Sequence, residues 1–244
     1  MERYRRDHSC TGFCSGEPST RRRLATAFRP VASNISEGVV RIITIEREYG
    51  CGAASIARNL AARLGWTLWD ELLTQEIARL AKCDQADVRK HEERRDPLYY
   101  RLFKSFAMGS WEGSPDAFSA EVLDADTIVR LSEQVVERAA DAGNCVIVGR
   151  GSQHFLRARR DTLRFFLYAS RKEKIRRLVS QGKTETDAVA SVDTIDREHA
   201  SFIKKYFHVD WPNRSLYHAM LNTANGDETV VLAILGFLEE GRSR

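Results

Sequence analysis

The residues of this chain best suited to chemistry are a glycine-broken turn, Gly50-Cys51-Gly52-Ala53-Ala54-Ser55, and a few charged side chains set far apart: Arg47, Asp70, Arg150 and Arg197. Glycine lets the backbone take positive φ and lets amide N–H groups approach an oxyanion without a Cβ in the way. A helix beginning in that turn would aim free N–H groups and its macrodipole at the same point. Guanidinium groups are planar forks that match phosphate. The chemistry implied is the holding of an anion, with Ser55 able to offer a hydroxyl to a metal ion or to serve as the helix cap.

The full phosphate-loop pattern, G-x-x-x-x-G-K-S/T, adds a lysine and a hydroxyl. Registered on Gly52, this chain has Arg47 at the first glycine, Ala53 at the lysine and Ala54 after it. Arg47 lies within the turn and could supply part of the missing positive charge. Cys51 could be a reactive thiol at a helix start; a small filler of a tight turn is the expectation.

The turn needs a strand before it and a helix after it. Val39, Val40, Ile42, Ile43 and Ile45 form a short β-branched run of the kind buried on both faces in a parallel sheet. Ile56, Leu60 and Leu64 recur every four residues after the turn, and Gly65 stops them. A second strand is expected at Trp66 to Trp69, ending at Asp70, with a helix through Leu72, Leu73, Ile77 and Leu80. Residues 84–126 lack a period and read as an insertion that caps the sheet. A helix follows over 127–142, then a strand Cys145 to Val148 running into Gly149-Arg150-Gly151. Leu163 to Ala169, the basic helix RKEKIRRLVSQ, Tyr217 to Asn222 and Glu228 to Glu239 complete the alternation. Strands alternating with helices predict an α/β domain with about five parallel strands and helices on both faces. Ligands on such sheets lie outside the carboxyl ends of the strands, where Gly50, Gly52, Asp70, Gly149 and Arg150 all fall.

Of the four net positive charges in 244 residues, three come from residues 1–38, which hold seven arginines against four acids. The remainder is nearly neutral, which disfavours nucleic-acid binding by the folded part. Residues 1–38 lack hydrophobic period and are expected to be a disordered Arg-rich extension. No run of apolar residues approaches the length of a membrane span, so a cytoplasmic protein is expected. Five scattered cysteines are no disulfide framework. Cys10 and Cys14 have no second pair at ligand spacing, so no metal centre is expected there. His154, His199, His208 and His218 show no triad-like grouping and are expected to be structural or exposed.

Five stretches, in this order and spacing, resemble the cytidylate kinase-like family of nucleoside monophosphate kinases: TIEREYGCGAASIARNLAARLG, VIVGRGSQHFL, RFFLYASRKEKIRRL, DREHASFIKKYFHVDW and YHAMLNTANGDETVVLAIL. The resemblance spans about residues 39–240. It implies a three-layer P-loop NTPase-like fold over 39–244, with 84–126 as an acceptor-side insertion and 183–215 as a helical lid. It implies transfer of the terminal phosphoryl of ATP, with Mg2+, to CMP, dCMP or a related small acceptor, a reaction that is mostly positioning and charge stabilisation. Gly50 to Ser55 would then cradle donor phosphate, with Ser55 on magnesium. Arg47, Arg150 and Arg197 would be the catalytic cations, Asp70 and Arg150 would contact the acceptor, and Arg197, Lys204 and Lys205 would form the lid's cations. For Arg150 the alternative is a surface arginine paired with a carboxylate, and for the lid residues a solvated helix face. Asp70 could instead cap the helix it precedes. Cytidylate kinases proper carry a base-reading aspartate after the Gly-Arg pair, where this chain has Gly151. Because Ala53 replaces the loop lysine, a non-catalytic nucleotide-binding module is the alternative to an enzyme.

Overall fold

A computed structural model of the chain describes residues 39–88 and 125–242. Five strands, β1 (Ile42–Arg47), β2 (Thr67–Trp69), β3 (Cys145–Val148), β4 (Thr162–Tyr168) and β5 (Ala219–Asn222), form one sheet in the order β2-β3-β1-β4-β5. Every pairing is parallel, with Ile43 beside Val146 on one side and Leu163 on the other. The described helices are α1 (Ala53–Leu64), α2 (Glu71–Val88), α3 (Ala125–Ala142), α4 (Ser152–Phe155), α5 (Arg171–Ser180), α6 (Glu185–Phe207) and α7 (Asp227–Arg242).

The central strands are apolar because both faces are covered. Ile43, Ile45, Val146, Val148, Phe165 and Leu167 pack under α1 and α7, against Ile56, Leu60, Val231 and Ile234. Ile42, Cys145 and Ile147 pack on the other face against Leu73 and Ile77 of α2 and Leu131 and Val135 of α3. Each fully buried Ile or Leu is worth about 1.5–3 kcal/mol relative to exposure, so this three-layer sandwich is the main stabilising term. In α1, Ala57 and Ala61 let the helix lie close on the sheet. It closes in a Schellman motif: Gly65 takes φ 64°, its N–H reaches the Ala62 carbonyl, and Trp66 N–H reaches that of Ala61.

The expected elements are present with ends shifted by up to five residues. β1 starts at Ile42 rather than Val39 and runs through Arg47, because Glu46 and Arg47 pair with Phe166 and Leu167 of β4. Residues 84–88, assigned above to the insertion, belong to α2; the rest of it, 89–124, lies outside the described residues, as do 1–38 with Cys10 and Cys14. The 183–215 segment consists mainly of α6, a single 23-residue helix whose inner face buries Ala188, Val192, His199, Phe202 and Ile203. No helix among the described residues is long and apolar enough to cross a membrane.

Candidate active site at the carboxyl ends of the strands

From the central strand β1 the chain departs toward β2 at one edge, and from its neighbour β4 toward β5 at the other, so the crevice outside their carboxyl ends is the sheet's switch point. The glycine turn fills one side of it. Gly50 and Gly52 have φ of 77° and 83°, and Gly52 is the N-cap of α1. Ser55 is therefore not the cap; it lies inside the first turn and donates its hydroxyl to Asp227 Oδ2 at 2.5 Å. Ala53 is buried in the core and Ala54 half-buried, so neither offers charge to the turn.

Positive charge comes instead from α5. Its N-cap, Ser170, accepts from Glu173 N–H, the start of an S-x-x-E box that phases the helix. Lys174, Arg177 and Leu178 then share the face laid on the turn. A β-carbon at Gly50 would sit 3.1 Å from Leu178 and 3.3 Å from Lys174, and one at Gly52 would collide with Arg177 Nη1. Arg177 Nη1 donates to the Cys51 carbonyl and Nη2 to that of Thr223 at 2.8 Å, while Thr223 Oγ1 donates to the same Cys51 carbonyl at 2.7 Å. Lys174 Nζ joins Glu48 at 3.1 Å and Asp196 at 2.7 Å, and Asp196 also accepts from Tyr49 N–H. Cys51 is fully buried within this clamp and acts as the small filler expected of it.

The other side of the crevice is the end of β3. Gly149, Arg150 and Gly151 are all left-handed, at φ 65°, 57° and 72°, a conformation that costs a non-glycine residue about 1–2 kcal/mol. It turns Arg150 inward until only 1% of it is exposed. One terminal nitrogen donates to Thr74 Oγ1 at 2.5 Å; Nε and the other have no hydrogen-bond partner among the described residues. Burial, and then the neighbouring charge of Arg47, push its pKa down to about 9, with Asp70 pulling the other way. The Arg47 guanidinium lies over Gly149, 2.8 Å from where a β-carbon there would be. Thus Arg47, Arg150 and Asp70 come together, and Asp70 also receives the Thr74 hydroxyl on its carbonyl at 3.3 Å.

Gly151 is closed off. A β-carbon there would lie 2.7 Å from the Phe207 ring and 3.2 Å from that of Phe155. Strain and overpacking together should make Gly151→Ala destabilising by about 2–4 kcal/mol. The expected result is a lower urea midpoint at unchanged m-value.

Beneath Arg47 sits a buried polar cluster that sequence reasoning missed. Glu46 is fully buried; one carboxylate oxygen accepts from Arg47 N–H at 3.0 Å and faces His199 Nε2 at 3.6 Å, and the other accepts from Gln153. Burial raises its pKa, but His199 and Arg47 together outweigh that and hold it down at about 2. His154, stacked on Phe207 at 4.2 Å, is pushed down to about 4 chiefly by burial.

The lid cations are not gathered here. Arg197 is exposed beside Asp193, Lys204 pairs with Asp210 at 2.6 Å in solvent, and exposed Lys205 lies 5.0 Å from the Tyr206 ring. His208 and His218 are exposed as expected, whereas His154 and His199 are the structural, buried ones.

A family model described as the cytidylate kinase-like family matches residues 42–225. No curated protein sequence matches the chain. Among solved structures, an uncharacterised protein from Eubacterium ventriosum ATCC 27560 is similar with a TM-score of 0.59 at 18% identity, covering 82% of this chain and 99% of that one. A shikimate kinase from Bacteroides thetaiotaomicron is similar at 0.46 and 17%, covering 82% and 98%. Another from Acinetobacter baumannii, in complex with shikimate, is similar at 0.47 and 14%, covering 85% and 97%. The fold shared with the Eubacterium ventriosum protein is a three-layered one built on a parallel five-stranded sheet.

Proposed function

Because this chain belongs to the cytidylate kinase-like family, we propose that it is a cytoplasmic phosphotransferase moving the terminal phosphoryl of ATP to a nucleoside monophosphate, with CMP and dCMP the first acceptors to try. The observation that carries this reading is the buried Arg150 fork, which has two nitrogens without a hydrogen-bond partner among the described residues and lies beside Arg47 at the carboxyl end of the central strands. A buried guanidinium with open donors is costly to keep unless an anion completes it. Fixed cations aimed at phosphoryl oxygens are what this reaction needs, since the protein contributes positioning and charge rather than covalent steps.

In this scheme the amides of Gly50 to Ser55 and the N-terminus of α1 receive the donor phosphates. Arg150, with Arg47 and Asp70, receives the acceptor. Arg197, Lys204 and Lys205 approach only if α6 or its C-terminal end moves. Magnesium suits the donor set of the Ser55 hydroxyl and the Asp227 carboxylate, hard oxygens that leave room for phosphate and water. When bound it would neutralise charge on the donor phosphates. The closed wall at Gly151 favours an acceptor recognised by its phosphate more than by a base-reading side chain at this position.

A coupled ADP-release assay with ATP and magnesium across CMP, dCMP, UMP and other small acceptors tests the reading. Turnover with at least one is expected. Absence of turnover with all of them, under conditions where ATP binds, would defeat it. The second reading, a nucleotide-binding module without catalysis, is favoured by Ala53, which leaves the glycine turn without a lysine of its own. Calorimetric nucleotide affinity indifferent to magnesium, together with absent turnover, would select it.

A further inference from the structure

The glycine turn lacks a lysine of its own, yet a cation rests on it. Arg177 comes from α5, 126 positions from the Cys51 carbonyl it holds, and its guanidinium occupies the space that any side chain at Gly52 would need. All three of its nitrogens donate within the protein: Nε to Glu173 at 3.0 Å, Nη1 to Cys51 O and Nη2 to Thr223 O, with Asp227 Oδ1 3.9 Å from Nη2. A guanidinium has five N–H groups, so one on each terminal nitrogen remains beyond these bonds. Lys174, the other cation on this face, is committed beneath Gly50 to two carboxylates.

We infer that Arg177 is the cation of the phosphate cradle, meeting the donor's polyphosphate chain in place of a lysine at position 53. The inference rests on the phosphotransfer reading above for the identity of the donor. The site's chemistry, a guanidinium with one N–H to spare on each terminal nitrogen fixed beside the amides of a helix N-terminus, suits a linear polyphosphate that can meet both at once. The carbonyl bonds to Cys51 and Thr223 fix the fork before ligand arrives, so little side-chain entropy is lost on binding.

Calorimetric titration with inorganic tripolyphosphate and with ATP reads this directly on the full chain. Arg177→Gln is expected to weaken tripolyphosphate roughly 10- to 100-fold, as loss of a charge-assisted contact does. Arg177→Lys, keeping charge without the fork, should recover most of that loss, and its affinity should fall with added salt more steeply than that of the glutamine variant. Equal tripolyphosphate affinity in wild type and Arg177→Gln, or none in wild type, overturns the inference and leaves Arg177 a backbone clamp. Side-chain NMR of the unmutated protein covers the case in which the glutamine variant does not fold. The Arg177 Nε–H resonance should move on saturation with tripolyphosphate, and an unmoved resonance overturns the proposal equally. If polyphosphate binding needs Arg177 but no acceptor is turned over, the phosphotransfer reading fails and this one stands. An unchanged KM for ATP in an active Arg177→Gln variant does the reverse.

Discussion

Arg150→Met should give a protein that is more stable and nearly inactive. The wild-type residue is 1% exposed, has two guanidinium nitrogens without a hydrogen-bond partner among the described residues and lies beside the like charge of Arg47. An unbranched apolar chain of similar reach removes that burden, and replacing such buried charge with a hydrophobe commonly gains about 1–4 kcal/mol. Thr74 loses a donor but keeps the bond its hydroxyl makes to the Asp70 carbonyl. The pH dependence carries the sign. The folded-state pKa of about 9 lies below that of an arginine in an unfolded chain. The cost is therefore present at every pH below about 9 and is relieved as pH rises through it. The variant's advantage in Tm should be full at pH 7 and shrink above pH 9. Its kcat/KM for the acceptor should fall by roughly 10²–10³, the scale of losing one preorganised donor to a transferring group. A variant that loses stability while keeping activity would show that Arg150 is a structural residue.

Glu46→Gln should have the opposite profile, a large loss of stability at neutral pH that vanishes in acid. Glu46 is fully buried, and although burial opposes its charge, His199 and Arg47 hold its pKa at about 2. That is below the value of about 4.3 for an unfolded glutamate, so its stabilisation is present above the unfolded value and is lost as pH falls toward 2. Linkage puts it at about 3 kcal/mol. Glutamine matches the shape and can still accept from Arg47 N–H, while Gln153 can turn its unpartnered amide oxygen toward the new NH2 group. The missing charge is then the main change. Wild type should lose Tm steeply between about pH 5 and pH 2, and the variant should lose about 3 kcal/mol less over that interval. Asp161 and Glu173 are also held below the usual carboxylate range by arginines, so the difference between the two proteins is the measurement that counts.

The layered α/β fold and the two glycine-bounded strand ends were legible because their signals are local. An apolar β-branched run ending in glycine announces β1 and β3, and Ser170 with Glu173 announces α5. Asp70 and Arg150 were placed at one end of the sheet by the rule that ligands sit beyond the carboxyl ends of parallel strands, and Arg47 by its position in the glycine turn; the structure sets the three near one another. The facing of helices was not legible in the same way. In α6 the buried positions Val192, His199, Phe202 and Ile203 share one stripe, which leaves Arg197, Lys204 and Lys205 outside it. Val192, Phe202 and Ile203 carry that stripe in the sequence, interleaved with the basic residues of the opposite face. Lys174 and Arg177 were present in the expected basic helix, but nothing local says that their face lands on a turn 126 positions earlier. Glu46 carried a weaker signal, a lone charge ending an apolar strand, whose partners Gln153 and His199 come from two other helices.

The carbonyl of Cys51 is held by the hydroxyl of Thr223, 172 positions further on. During synthesis the glycine turn is made well before the group that secures it. A nascent chain that has not yet reached Thr223 has the turn without its clasp. The shape of the turn is therefore settled by tertiary folding, not by the local sequence that builds it.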